Sequence, residues 1–192
     1  LTKAAVGVLA LQGDFREHAA TLERCGARVS LVRLPEDLRG LQGLVVPGGE
    51  STTMSKLLIS SGLLEPLLNA IESGLTCLTT CAGTILAARE IRGGIPDQVS
   101  LNVLDIAVRR NAFGRQLQSA EVALAVPALG PEPVPVAFIR APAIEEVGAG
   151  VEVLASYEER IAAVRQGAHI GLTFHPELTG DTRLHQLFLS GL

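Results

Sequence analysis

Residues 5–33 read AVGVLALQGDFREHAATLERCGARVSLVR. The run from 5 to 11 is continuously apolar and stops at Gln12-Gly13-Asp14. Residues 15–25 then put Phe15, Ala19, Leu22 and Cys25 on one helical face. Gly26 stands just past that helix, where a glycine readily takes the left-handed turn. Residues 28–33 read as a second strand. A strand with no polar alternation, as over 5–11, is covered on both faces, as in a parallel sheet. The stretch therefore predicts a strand, a crossover helix and a second strand.

The pattern continues outward. Residues 44–46 predict a third strand, closed by Pro47-Gly48-Gly49. Ser51-Thr52-Thr53 offer caps for a helix through 54–59. A second helix is expected over 63–73, a strand over 76–79 and a helix over 82–91. Short connections between such elements predict an α/β fold of three layers, α/β/α, flavodoxin-like, with a mostly parallel central sheet. The second half differs. Strands are expected over 101–109, 121–126, 136–140, 151–157, 161–165 and 169–174, with few helices between them. That predicts antiparallel additions in the C-terminal half. Residues 127–135 read as a Pro-rich surface loop, and 182–192 as a closing helix. Residues 1–192 are expected to form one domain.

Composition narrows the function. The 192 residues carry 16 basic and 20 acidic side chains, for a net charge of −4. A nucleic-acid binder held by phosphate contacts is disfavoured by that balance. Aromatics are 3% and Trp is absent, which disfavours a base-stacking surface. Mean hydropathy is positive, +0.35, yet no window of about 18 residues lacks both charges and Gly/Pro breakers, so no membrane span is expected. The N-terminus has no signal-peptide layout. Three cysteines, Cys25, Cys77 and Cys81, fit neither a disulfide framework nor a metal site, and no metal is expected. A reducing cytoplasm is the expected compartment. Cys25 and Cys77 read as core filling.

Three motifs carry chemistry. Thr80-Cys81-Ala82-Gly83 stands where a strand hands over to a helix, the setting of a nucleophile elbow. The same tetrapeptide fits a core cysteine at a strand end equally well. In Phe174-His175-Pro176-Glu177, His175 follows a buried strand, and Glu177 can fix its tautomer as a triad carboxylate does. A loop histidine beside a solvated glutamate is the plainer reading of that pair. Pro47-Gly48-Gly49-Glu50-Ser51 allows close backbone approach to a ligand and offers free N–H groups at a helix start. A simple turn with a cap accounts for it too. Together, all three fall at carboxyl ends of strands, where α/β sheets bind ligands.

The chain resembles the class I, or triad, glutamine amidotransferases, and within them the glutaminase subunits of pyridoxal 5′-phosphate synthases. The matching runs are residues 6–14, 46–53, 80–83, 110–116 (RNAFGRQ), 138–142 (FIRAP) and 174–179. RNAFGRQ and FIRAP are specific to that subunit; the elbow and the H-P-E are shared more widely. The resemblance implies hydrolysis of L-glutamine by Cys81, His175 and Glu177. It implies an oxyanion hole at Gly48, Gly49 and Ala82, and a substrate pocket of Gly49, Glu50, Ser51, Arg110, Ile139 and Arg140. It implies no cofactor. The ammonia is expected to pass to a separate synthase subunit, docked at Gln12, Gly13, Asp14 and the first helix, which completes the oxyanion hole. One residue departs from the family: Thr79 stands where glycine is usual. The rivals are an amidotransferase subunit serving another synthase and a catalytically impaired regulatory subunit.

Overall fold

Alternate side chains of the first strands face two different cores, and this sorts the chain into layers. The computed structural model describes residues 3–112 and 119–192. In β1 (Ala5–Leu9), Val6 and Val8 pack with Leu22 of α1 (Phe15–Arg24) and with Leu184 and Phe188 of α5 (Arg183–Ser190). Leu9 faces the other way, into a core with Met54 and Leu58 of α2 (Ser51–Ser60) and Leu67 of α3 (Leu64–Glu72). The alternation repeats in β3 (Gly43–Val46), where Val45 joins the first core and Leu44 and Val46 the second. In β4 (Thr76–Thr80), Leu78 and Cys77 divide in the same way. Each fully buried leucine contributes roughly 1.5–3 kcal/mol over its exposed state. The two faces are thus held independently, as a three-layer α/β/α arrangement requires.

Among the described residues the main sheet has ten strands. Its main path starts with β2 (Arg28–Val32), β1, β3, β4 and β12 (His169–Leu172), all parallel. It continues through β11 (Arg160–Gln166), β9 (Ala143–Val147), β6 (Leu104–Arg109) and β5 (Ala88–Arg92). The pairs β12·β11, β11·β9 and β9·β6 are antiparallel, and β6·β5 is parallel again. β10 (Glu152–Tyr157) pairs with β11 alone. β7 (Ser119–Leu124) and β8 (Val134–Ile139) form a separate antiparallel ribbon that covers the face shared by α1 and α5. The mostly parallel first half and antiparallel additions match the expectation from sequence.

Three local expectations are corrected. The helix expected over 82–91 ends early: α4 (Ala82–Ala87) gives way to β5 at Ala88, whose backbone is extended (φ −68°, ψ 145°). The Leu86 and Ala87 carbonyls accept N–H bonds from Leu101 and Val103 instead of continuing the helix. β9 has no counterpart among the strands expected from sequence. Its glutamates point outward, where Glu145 and Glu146 pair with Arg92 and Arg109. Finally, Cys25 is half-buried, not core, because α1 ends at Arg24; Cys77 is fully buried as expected.

This topology positions the site. β1 has β2 on one side and β3 on the other, so strand order reverses there, and the carboxyl ends of β1, β3, β4 and β12 open onto one crevice. No helix among the described residues is long and apolar enough to cross a membrane.

Candidate active site

Cys81 closes β4 and opens α4 with φ 46° and ψ −107°. A non-glycine residue in such a region costs about 1–3 kcal/mol and is held there by its surroundings. Here its N–H donates to the Leu172 carbonyl at 2.9 Å, and its own carbonyl accepts from Thr84 and Ile85 at 3.1 and 3.2 Å. The turn needs small neighbours. A Cβ on Gly83 would stand 2.0 Å from the Val46 carbonyl oxygen. Thr79 is accommodated: its Oγ1 lies 3.0 Å from Thr84 Oγ1, and Thr84 donates to the Leu172 carbonyl at 2.7 Å. Gly171 pairs directly with Thr79 across β12 and leaves room beside Thr84.

His175 is fixed from three directions. Its N–H donates to Ala137 of β8 at 2.8 Å. Its Nδ1 is 2.7 Å from Glu177 Oε1 and 3.2 Å from Asp14 Oδ2. An ionised carboxylate can only accept, so Nδ1 carries a proton and the other ring nitrogen is left for Cys81, which lines the same cleft. Gly48 lies against the ring; a Cβ there would come within 2.3 Å of Cε1. Burial alone would lower the basicity of His175, but the Asp14, Cys81 and Glu177 side chains around it outweigh that and hold the imidazolium well above the ordinary histidine range. Glu177 is buried behind it, and that burial pushes its carboxyl upward. Asp14, His175 and Glu177 also bring three donor atoms within 4.8 Å of one another. The proton on Nδ1 takes that nitrogen out of a cation's reach.

The residues singled out from sequence gather around one cleft of about 440 Å³. Cys81, His175, Ala82, Gly49, Glu50, Ser51, Arg110, Ile139, Arg140 and the loop Gln12, Gly13, Asp14 all line it. Gly48 and Glu177 lie behind His175 and do not line the cleft. Glu50 caps α2: its two carboxylate oxygens accept the Thr52 and Thr53 N–H groups at 3.1 and 2.7 Å. The expected cap was Ser51-Thr52-Thr53; the carboxylate wins because it takes two orphan donors at a positive helix end. Burial opposes the charge on Glu50, but those bonds hold its carboxyl below the usual range. Arg110 reaches Glu50 at 3.2 Å across the cleft. The loop from β1 is tied to the same wall: Gln12 Oε1 accepts the Glu50 N–H at 2.7 Å, and the Asp14 N–H donates to the Gly48 carbonyl at 3.1 Å. Cys81 Sγ approaches the Ile139 carbonyl at 3.8 Å. Phe113, Gly114, Arg115 and Gln116 of RNAFGRQ lie outside the described residues.

Sequence reading misses four residues here. Ile85, Asn111 and Leu178 line the cleft; two of them sit inside or beside motifs already singled out. His18 lies fully buried on α1, 3.3 Å from Glu177 Oε2. Its only signal is a histidine four residues past Asp14 on a helix.

His18 pairs with His185 of α5, Nδ1 to Nε2, at 2.9 Å. Burial holds both neutral; His185 falls to about 4, with Arg24 adding to the effect and Asp181 opposing it. Unfolded histidines titrate near 6.5, so below that pH the unfolded chain binds protons that these two refuse. Stability is therefore present above about pH 6.5 and is lost on acidification, by roughly 1.4 kcal/mol per pH unit for each group. The melting temperature should fall between pH 6.5 and 4, and His185→Gln should flatten that slope. An unchanged slope would show that His185 is not buried neutral.

A thiol, an imidazole and a buried carboxylate gathered at the switch point of an α/β sheet are the groups a cysteine-dependent hydrolase uses. The model of the SNO glutamine amidotransferase family matches residues 8–192. A pyridoxal 5′-phosphate synthase subunit PdxT from Clavibacter sepedonicus is 57% identical over 96% of this chain and 88% of its own. The subunit of the same name from Pelotomaculum thermopropionicum is 55% identical, over 96% and 93%. A crystal structure described as a glutamine amidotransferase superposes with a TM-score of 0.90 at 49% identity, covering 97% of each chain. A chain of PurLQS from Thermotoga maritima shares the fold, at TM-score 0.70 and 19% identity, over 99% of this chain and 97% of its own. This chain belongs to the SNO glutamine amidotransferase family.

Proposed function

We propose that this chain is the glutaminase subunit of a pyridoxal 5′-phosphate synthase, a single domain that hydrolyses L-glutamine and passes the ammonia to a synthase subunit. The observation that carries the mechanism is the placing of Cys81 and His175 in one cleft, with Glu177 bonded to His175 Nδ1 at 2.7 Å behind them. His175 already holds the thiol proton, so Cys81 Sγ attacks the carboxamide carbon as the thiolate. His175 returns that proton to the leaving nitrogen, which departs as ammonia and leaves a thioester. Water, deprotonated by His175, adds to the thioester and releases glutamate and the thiol. Glu177 keeps the Nδ1 proton in place and balances the imidazolium charge.

The oxyanion donors are the backbone N–H groups of Ala82 and Gly49. Ala82 is the first residue of α4 and has no intrahelical acceptor for its N–H. The Glu50 N–H is already taken by Gln12, so Gly49 supplies the second donor from the Gly48-Gly49 turn. The amino-acid head of glutamine is read by opposite charges lining the cleft: Glu50 for the ammonium, Arg110 and Arg140 for the carboxylate, with Ser51 and Ile139 beside them. Gln12, Gly13 and Asp14 form the synthase contact. Through the Gln12 to Glu50 and Asp14 to Gly48 bonds, pressure on that loop reaches the oxyanion turn directly.

Ammonia release from glutamine, measured with and without the cognate synthase subunit, tests this reading. Release that depends on the synthase is expected. Its absence in the assembled complex would overturn the assignment.

A further inference from the structure

Behind the triad lies a buried polar chain that the reaction above does not use. Glu177 is 6% exposed, and its Oε2 has no hydrogen-bond partner among the described residues. An unpartnered buried carboxylate oxygen is costly, about 1–3 kcal/mol or more. The donor nearest to hand is His18 Nε2, at 3.3 Å, with both side chains fully buried. The same nitrogen lies 3.1 Å from Thr80 Oγ1, one residue before Cys81. On its far side, His18 Nδ1 meets His185 Nε2 at 2.9 Å. His185 Nδ1 is buried without a partner among the described residues.

The protons on this chain have one arrangement that satisfies the most groups. His18 is neutral, so only one of its nitrogens carries hydrogen. If that is Nε2, it serves Thr80 and Glu177, while Nδ1 accepts from His185 Nε2–H. The unpaired His185 Nδ1 is then a lone pair, not an orphaned donor, which fits its lack of a partner. With the proton on Nδ1 instead, Glu177 Oε2 would face the lone pair of His18 Nε2. A charged carboxylate oxygen cannot stay there.

We propose that His18 is a positioning residue of the glutaminase: its Nε2–H, shared between Thr80 Oγ1 and Glu177 Oε2, holds the Glu177 carboxylate in the plane that serves His175, and His185 fixes the His18 tautomer. The inference rests on the assignment of Glu177 to the triad. The groups facing His18 are Glu177 and His175 from the segment after β12, Thr80 from β4 and His185 from α5; Arg24 and Asp181 act on His185. A hydrogen bond to the charged form keeps a carboxyl ionised to lower pH. Loss of the His18 donor should therefore raise the pH at which Glu177 is neutralised and the triad fails.

The test uses the complex with the synthase and compares wild type, His18→Leu and His18→Gln. The leucine removes the donor; the glutamine amide places an N–H near the position of Nε2. His18→Leu is expected to lower kcat about 10–100-fold, by analogy with loss of an outer partner that orients a metal-ligating side chain. KM for glutamine should stay within about twofold, because the substrate pocket is untouched. The acid limb of the pH–rate profile should move to higher pH, and His18→Gln should restore both rate and profile. Equal rates for His18→Leu and wild type would overturn the inference, as would equal losses in both variants with an unmoved acid limb. A wild-type complex that releases no ammonia would instead overturn the glutaminase reading itself. If His18→Leu does not fold, ¹⁵N-histidine spectra of the wild type decide: the proton on His18 Nε2 supports the inference, and the proton on Nδ1 overturns it.

Discussion

Cys81→Ala is expected to abolish glutamine hydrolysis by the complex, with turnover reduced at least about 10⁴-fold, as when the nucleophile of a triad is lost. No second thiol can substitute. Cys77 is fully buried, and burial pushes it up to about 12. Cys25 lies at the end of α1, remote from the cleft residues, and burial raises it too. The fold should survive the change, since alanine fills much of the volume and the backbone bonds to Leu172, Thr84 and Ile85 do not involve the side chain. A second variant reads out the elbow. At φ 46° a glycine is unstrained where alanine is not, so Cys81→Gly, equally inactive, should melt at or above Cys81→Ala. Ammonia release and thermal denaturation check both points; residual turnover near wild type in Cys81→Ala would move the nucleophile elsewhere.

Glu177→Gln is the second large effect. The neutral amide keeps the volume but can donate toward Nδ1 of His175. That favours the tautomer with its proton on the nitrogen facing Cys81, which then cannot take the thiol proton. The loss of charge also removes the partner of the imidazolium, which Glu177 Oε1 now meets at 2.7 Å. A fall in kcat of about 10³–10⁴-fold is expected, as for the equivalent amide substitution in a serine triad. KM should change little, because Glu177 does not line the cleft. Asp14 Oδ2, at 3.2 Å from the same nitrogen, is the other carboxylate among the described residues placed to take over. If Glu177→Gln keeps nearly full activity, Asp14 is the triad carboxylate, and Asp14→Asn in that background should then remove the rest.

The parallel half of the fold is legible in the sequence because local pattern and tertiary role agree there. Residues 5–11 are apolar on both faces because both faces are covered, by α1 and α5 on one side and α2 and α3 on the other. The elements that differ are those where long-range pairing overrides local preference. AREIR at 88–92 continues an alanine-rich helical pattern, yet it pairs with the next strand, β6, Ala88 opposite Leu104. AIEEV at 143–147 is too acidic to read as a strand; its charges are outward and matched by arginines on β5 and β6. In the site, Cys81, His175 and Glu177 are legible as motifs. Asp14 reads as a partner contact, and only the fold brings its carboxylate to His175. His18 and His185 are illegible for the same reason: they stand 167 residues apart and meet only when α1 and α5 pack side by side.

The central claim is that glutamine reacts at Cys81 in the cleft between β1, β3, β4 and β12. A glutamine analogue bearing an alkylating group in place of its amide, incubated with the complex and followed by peptide mass mapping, tests it most directly. The account predicts one adduct per chain, on Cys81, suppressed by excess glutamine, with Cys25 and Cys77 unmodified. An adduct on Cys25 or Cys77 with Cys81 spared, or labelling that glutamine does not suppress, would contradict it.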